Sequence, residues 1–311
     1  MDIKRGMKMK QTYDCVVIGA GVAGMTAAIY LKRANVNVLL LESSVPGGQI
    51  NRSARVENYP GFLEIDGPTL AMKIYEQIQN LKIEYRYGEV IDIIDKKNQK
   101  IVKTEKEEIE CKGIIIATGR VPKELGLEQE TELVGHGISW CAVCDGPFFR
   151  GKDVCVVGGG NSAFEESLYL SEICNNVTII NRSEKLRADS ILVEEVKTKK
   201  NIDILYNSVV NTINETDGYL SSILIEQEGK IKEVICDGLF IYIGSKPNTH
   251  FARNANIQMK NDYIITDSNM RTNIKGIYAC GDVIYKDVYQ ISTAVGEGAT
   301  AAMSFKKDAE S

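Results

Sequence analysis

Twice in this chain a short apolar run ends in a glycine-rich turn that leads directly into a helix-forming stretch. The first copy is DCVVIG (14–19), the turn GAGVAG (19–24) and MTAAIYLKRAN (25–35). The apolar run VNVLLLE (36–42) follows and ends on Glu42. The second copy is DVCVVG (153–158), GGGNSA (158–163), FEESLYLSEI (164–173) and NVTIIN (176–181). Each reads as strand, GxGxxG or GxGxxA turn, helix and second strand, the order of a dinucleotide-binding βαβ unit. Gly19, Gly21 and Gly24 permit a tight turn and close approach of backbone to a pyrophosphate. The helix start then offers free N–H groups and the positive end of its dipole. In the second copy Gly158, Gly160 and Asn161 stand in the turn, and Ala163 is still small enough for close helix–strand packing. Two copies predict an α/β chain with two Rossmann-like domains and two dinucleotides.

The second strands of the two units end differently. Glu42 lies 18 residues past Gly24, where a carboxylate accepts hydrogen bonds from an adenosine ribose. The other strand ends in Asn181, followed by Arg182, Ser183, Lys185 and Arg187. Arginines there favour a 2′-phosphate, so this unit leans towards NADPH over NADH. The rival reading is a solvated basic turn.

Three further strands deliver small residues to their carboxyl ends, the side of an open α/β sheet where ligands bind. They are KGIIIATGR (112–120) with Thr118 and Gly119, DGLFIYIGSKPN (237–248) with Gly244, and KGIYACGDV (275–283) with Gly281 and Asp282. STAVGEGATAAMSF (292–305) reads as a terminal helix whose glycines blur its start.

The chain has 311 residues, 44% hydrophobic and 25% charged, with net charge −5. That balance fits a two-domain globular protein and argues against nucleic acid or an anionic membrane as partner. Basic residues precede the first apolar run, which invites a signal-peptide reading. Gly19, Gly21 and Gly24 break that run, and it reads better as strand and turn. No segment reaches the roughly 18 apolar residues of a membrane helix, and a cytoplasmic setting is expected.

Of eight cysteines, only Cys141 and Cys144 form a close pair, in SWCAVCDGPF (139–148). The other six read as reduced, buried small hydrophobes. The pair has three readings. A zinc clip lacks a second ligand pair, with only two histidines in the chain, and no metal is expected. A structural disulfide would close too short a loop to constrain the unfolded chain much. A redox pair gains from the ease with which CxxC closes and from the reactivity of its thiolate. Asp145 follows directly and can take or give a proton; Asp-Gly-Pro is also strong turn chemistry.

Beyond these single features, the chain resembles the low-molecular-weight bacterial thioredoxin reductases over nearly its full length. The resemblance is carried by GAGVAG (19–24), GGQ (47–49), VENYPG (56–61), ATG (117–119), CAVCDG (141–146), GGGNSAFEE (158–166), IGSKPN (243–248) and CGDV (280–283). It implies an FAD-binding domain from residues 1–121 and 249–311, with an NAD(P)H-binding domain, 122–248, inserted between them. It implies FAD contacts at Gly19, Gly21, Gly24, Glu42, Gly48, Gln49, Asn58, Thr118, Gly119, Gly281, Asp282 and Gln290. It also implies NADPH contacts at Gly158, Gly160, Asn161, Ala163, Arg182 and Arg187. Cys144 would face the flavin, Cys141 would attack the disulfide of the partner thioredoxin, and Asp145 would serve as acid/base. The family is homodimeric, with one domain rotating against the other.

The chain departs from the family pattern at two places. Asn181-Arg182-Ser183 stands where His-Arg-Arg is usual, and Tyr289-Gln290 where Arg-Gln is usual. A lost charged hydrogen bond is worth roughly 1.5–3 kcal/mol. NADH or reduced ferredoxin is therefore the alternative donor. An alternative of another class is a ferredoxin–NADP oxidoreductase-like flavoprotein, for which the cysteine pair would be dispensable. A nucleotide-binding regulator would purify without flavin.

Overall fold

The computed structural model describes residues 12–53, 56–97 and 99–310. The basic stretch 1–11, on which the signal-peptide reading draws, lies outside the described residues. The chain divides into two compact units. One gathers both ends of the chain, reaching Arg120 from one side and Pro247 from the other; the second is Val121–Lys246 together with Arg52–Ala54.

The first unit is built on a mixed sheet. Strand β1 (Thr12–Ile18) pairs in parallel with β2 (Val38–Glu42) on one side and β6 (Glu108–Ile116) on the other. β3 (Glu84–Tyr87) extends the parallel edge, while β4 (Val90–Asp95) and β5 (Lys100–Thr104) add antiparallel strands. The strand Ile277–Ala279 pairs with the last residues of β6. β1 is apolar without alternation because both its faces are covered. Cys15 and Val17 pack into one cluster, and Val16 and Ile18 into another.

Helix α1 (Val22–Arg33) lies against α6 (Ile291–Ala309), and small residues bring them close. A Cβ on Gly298 would fall 2.3 Å from the carbonyl oxygen of Ala23. That contact explains a glycine inside a helix, where it otherwise costs about 1 kcal/mol. The start of α6 is sharp: Gln290 caps it in a capping box with Thr293. Its far end is pinned by Asp308, which takes two bonds from Arg271, at 2.7 and 2.8 Å, and one from Tyr278 at 2.8 Å. The Arg271 guanidinium holds that carboxyl below its ordinary range. α2 (Gly67–Asn80) is capped by Asp66, whose side chain accepts the Thr69 N–H at 2.8 Å.

The second unit carries a five-stranded parallel sheet in the order Ile202–Leu205, Asn176–Ile180, Asp153–Val157, Gly238–Ile241, Ile138–Ser139. α4 (Asn161–Ser171) and α5 (Ser190–Thr198) belong to it, as does the short α3 (Ala142–Asp145) that carries the cysteines. A separate antiparallel sheet, Ser208–Thr216, Tyr219–Gln227 and Lys230–Ile235, completes the unit. Among the described residues no helix is long and apolar enough to cross a membrane.

Candidate active site

The turn between β1 and α1 divides its labour among three glycines. Gly19 has φ +102°, and a Cβ there would lie 2.4 Å from the Ala117 carbonyl oxygen. A Cβ on Gly24 would lie 1.8 Å from the Gly19 carbonyl oxygen, so only glycine lets α1 start this close to the strand. A Cβ on Gly21, by contrast, would meet nothing within 4 Å. Two glycines are thus required by the protein itself, and the third leaves a face open for a ligand's close approach.

Of the other first-unit residues named by the resemblance, Glu42, Gly48, Thr118 and Gly281 lie against the turn or the start of α1. Glu42, at the end of β2, takes the Ala20 N–H at 2.6 Å and the Ser44 N–H at 2.8 Å. Gly47 bridges Gly21, which places Gly48 and Gln49 beside the turn. Gln49 donates to the Arg120 carbonyl at 3.2 Å, and Thr118 donates to the Asn248 carbonyl at 2.6 Å. A Cβ on Gly119 would meet nothing within 4 Å. Gly281 lies against Ala23 of α1 and donates its N–H to Glu297 at 2.9 Å. Asp282 stands 3.6 Å from Lys286 Nζ. Asn58 donates to the Gln290 side chain at 3.2 Å, at the start of α6.

The turn of the second unit repeats the same division. A Cβ on Gly158 would lie 2.5 Å from the Tyr242 carbonyl oxygen, Gly160 has open space, and Ala163 is fully buried. Asn161 and Asp189 exchange two bonds of 2.8 Å. The basic segment folds back onto the turn, with the N–H groups of Arg187 and Ala188 on the Gly159 carbonyl at 2.7 and 3.0 Å. Arg182 and Arg187 keep exposed side chains. Asn181 is buried against Gly159 and ties the loop together through the carbonyls of Ser183 and Lys185. The exposed Ser183 hydroxyl also bonds within the loop, donating to the Lys185 carbonyl at 2.9 Å.

Cys141 and Cys144 form a disulfide across α3. The Cys141 sulfur caps that helix, accepting the Cys144 N–H at 3.2 Å. Cys141 is buried and Cys144 exposed. The other six cysteines are free and buried, and burial pushes the Cys111 thiol up to about 12 and the Cys174 thiol up to about 11. Among the described residues no group of three or more His, Cys, Asp and Glu side chains could hold a metal ion.

Three residues of this unit escaped the sequence reading. The Ser139 hydroxyl donates to Asp145 Oδ2 at 2.5 Å and accepts the Cys141 N–H at 3.0 Å, so one side chain fixes both the carboxyl group and the first cysteine. The Tyr242 hydroxyl accepts the Ala142 N–H at 2.8 Å, holding the start of α3. Burial drives that phenol far above its ordinary pKa. Glu166 is 8% exposed, and its Oε2 meets no hydrogen-bond partner among the described residues. Burial, with Glu165 adding, pushes its carboxyl up to about 8. Glu166 had a legible signal, since it falls in the stripe Ala163, Ser167, Leu170 that α4 buries. Tyr242 had none, because its partner lies 100 residues away, and nothing in the sequence marks which way the Ser139 hydroxyl turns, although Asp145 is only six residues on.

Two α/β units with dinucleotide turns, one of them carrying a disulfide flanked by a positioned carboxyl group, define a dinucleotide-dependent disulfide oxidoreductase. The sequence signature of the pyridine nucleotide-disulphide oxidoreductases matches residues 13–298, and the chain belongs to that family. Thioredoxin reductase of Bacillus subtilis (strain 168) is 43% identical over 300 residues, 96% of this chain and 95% of that one. The crystal structure of Lactococcus lactis thioredoxin reductase in its FR conformation is 44% identical with a TM-score of 0.89, covering 96% of this chain and 99% of that one. A ferredoxin-flavin thioredoxin reductase from Clostridium acetobutylicum is 28% identical with a TM-score of 0.54, covering 96% and 99%.

Proposed function

We propose that this chain is an FAD-dependent thioredoxin-disulfide reductase that draws electrons from NADPH and passes them through the Cys141–Cys144 pair to thioredoxin. The observation that carries the reading is the disulfide itself, flanked by Asp145 in a unit with its own dinucleotide turn. The open faces at Gly21 and Gly119 fit FAD in the first unit, and the open face at Gly160 fits NADPH in the second. Bound FAD would accept a hydride from the nucleotide and return two electrons to the disulfide.

The protein's own groups manage the rest. Gly19 and Gly24 shape the first turn, while Glu42, Gly48, Gln49, Asn58, Thr118, Gly281, Asp282 and Gln290 would hold FAD around it. Gly158, Gly160, Asn161 and Ala163 shape the second turn, and Arg182 and Arg187 would meet the 2′-phosphate. Opening the disulfide takes two electrons and two protons, and Asp145 moves a proton to or from a cysteine sulfur. The Cys141 thiolate then attacks a sulfur of the thioredoxin disulfide, and Cys144 resolves the mixed disulfide, releasing reduced thioredoxin. The working form is a homodimer in the cytoplasm.

Asp145→Asn is expected to slow thioredoxin reduction by about 10²–10⁴-fold, the usual worth of a positioned acid or base. Ser139→Ala keeps the carboxyl group but loses its anchor, with an expected loss on the order of ten- to a hundredfold. Ser139→Thr, which restores a hydroxyl, should recover most of it. Steady-state turnover with oxidised thioredoxin reads all three, and full activity in Asp145→Asn would remove Asp145 from the mechanism.

A second reading of the donor rests on Ser183. Its hydroxyl is committed to the loop, leaving Arg182 and Arg187 as the guanidinium groups of that segment. The Clostridium acetobutylicum relative is named for ferredoxin, which supports weighing that donor. Anaerobic mixing with NADPH, NADH or reduced ferredoxin separates the donors through flavin absorbance. NADPH is expected to bleach the flavin, and Ser183→Arg to lower the NADPH concentration required by roughly ten- to a hundredfold, the worth of one charged hydrogen bond. Bleaching by ferredoxin alone would overturn the choice of NADPH.

A further inference from the structure

Arg120 and Tyr289 form a pair that the nucleotide sites leave unexplained. Arg120 follows Ala117-Thr118-Gly119 at the carboxyl end of β6, on the ligand-binding edge of the sheet. Its guanidinium carbon lies 4.8 Å from the centroid of the Tyr289 ring and 5.9 Å from that of Tyr263. The two rings stand 5.8 Å apart at 49°. Lys286 also approaches Tyr289, with Nζ 5.4 Å from the ring centroid. Its charge is already matched by Glu297 at 2.8 Å and Asp282 at 3.6 Å.

The pair is fixed from both sides by residues assigned above to the flavin. The Arg120 carbonyl takes the Gln49 side-chain N–H. Tyr289 runs directly into Gln290, which caps α6 and receives Asn58. The guanidinium is therefore anchored at its backbone by one flavin-site segment and on its face by another. Tyr289 is also where this chain departs from the Arg-Gln pattern, and Arg120, four residues past the end of β6, supplies a cation over its ring.

We propose that Arg120, held on the Tyr289 ring, is the cation that sets the reduction potential of the bound flavin. The proposal rests on the reading that the first unit holds FAD. Taking up two electrons and one proton adds one negative charge to the flavin. A fixed guanidinium beside it lowers the energy of that charge and raises the potential. Arginine suits the position because its planar group stacks on a ring while staying charged at every working pH.

The test uses purified holoenzyme equilibrated anaerobically against a reference dye, for the wild type, Arg120→Met, Arg120→Lys and Tyr289→Leu. In Arg120→Met the ratio of reduced to oxidised flavin at a fixed dye potential should fall about tenfold or more, equivalent to about 30 mV for a two-electron couple. Tyr289→Leu should lower it less, and Arg120→Lys, which keeps the charge without the stacking, should lie between Arg120→Met and wild type. A ratio within about twofold of wild type in Arg120→Met, at equal flavin content, overturns the proposal. Should Arg120→Met lose its flavin, Tyr289→Leu and Arg120→Lys decide by the same ratio, and wild-type values in both overturn it. A colourless wild-type protein would instead overturn the FAD reading itself.

Discussion

Cys144→Ser and Cys141→Ser are each expected to purify as folded, yellow proteins whose flavin still reduces but whose thioredoxin turnover falls by roughly 10³-fold or more, because a hydroxyl can neither form the disulfide nor act as a thiolate nucleophile. Removing either sulfur removes the relay, so the two losses should be similar. The variants part company when mixed, after reduction, with oxidised thioredoxin. The Cys144 N–H points at the Cys141 sulfur at 3.2 Å, and a donor there favours negative charge on that sulfur. Cys144→Ser keeps this nucleophile and loses the group that resolves the adduct. It should accumulate a covalent complex with thioredoxin, visible on a non-reducing gel. Cys141→Ser should not. The opposite pattern would reverse the two roles, and near-normal turnover in either variant would favour a flavoprotein of another class.

One closed and one open glycine of the first turn, Gly24 and Gly21, make the second strong prediction. Gly24→Ala places a methyl group 1.8 Å from the Gly19 carbonyl oxygen. The obstacle is backbone, so neither partner yields without moving α1 off the sheet. Overpacking usually costs about 1–3 kcal/mol, and this contact belongs at the top of that range or above. For a protein of this size the melting temperature should drop by roughly 5 °C or more, with or without flavin. Gly21→Ala meets no such obstacle. Its apo form should melt within about 2 °C of wild type, a change of about 1 kcal/mol. The new methyl group stands where the pyrophosphate approaches, and flavin affinity should fall on the order of a hundredfold, the equivalent of about 3 kcal/mol. Full flavin content in Gly21→Ala would place the pyrophosphate somewhere other than this turn.

Those glycines could be read from the chain because their reasons are local. A buried strand without alternation, a GxGxx turn and an amphipathic or small-residue helix are set by neighbours a few residues away. The existence of β1 and α1, the turn between them and the cysteine pair follow from such short-range patterns, although β1 begins two residues before the run 14–19 and α1 three residues before the stretch 25–35. The start of α6 was harder, since its glycines weaken the helix signal. Gly298 turned out to serve a helix contact with Ala23, a residue 275 positions away.

What sequence by itself determined is the backbone logic: two dinucleotide units, their turns, and a thiol pair with an adjacent carboxyl group. Tertiary structure alone decided which polar groups meet. Ser139 clasps Asp145, Tyr242 reaches Ala142 across 100 residues, and Arg120 lies on Tyr289 across 169. The physical reason is that hydrophobic periodicity reports which face of an element is buried, while a hydrogen bond or a stacked cation needs two particular atoms within a few ångströms. For Tyr242 and Arg120 that closeness comes from packing between elements distant in the chain; for Ser139 and Asp145, six residues apart, it comes from the path of the backbone between them.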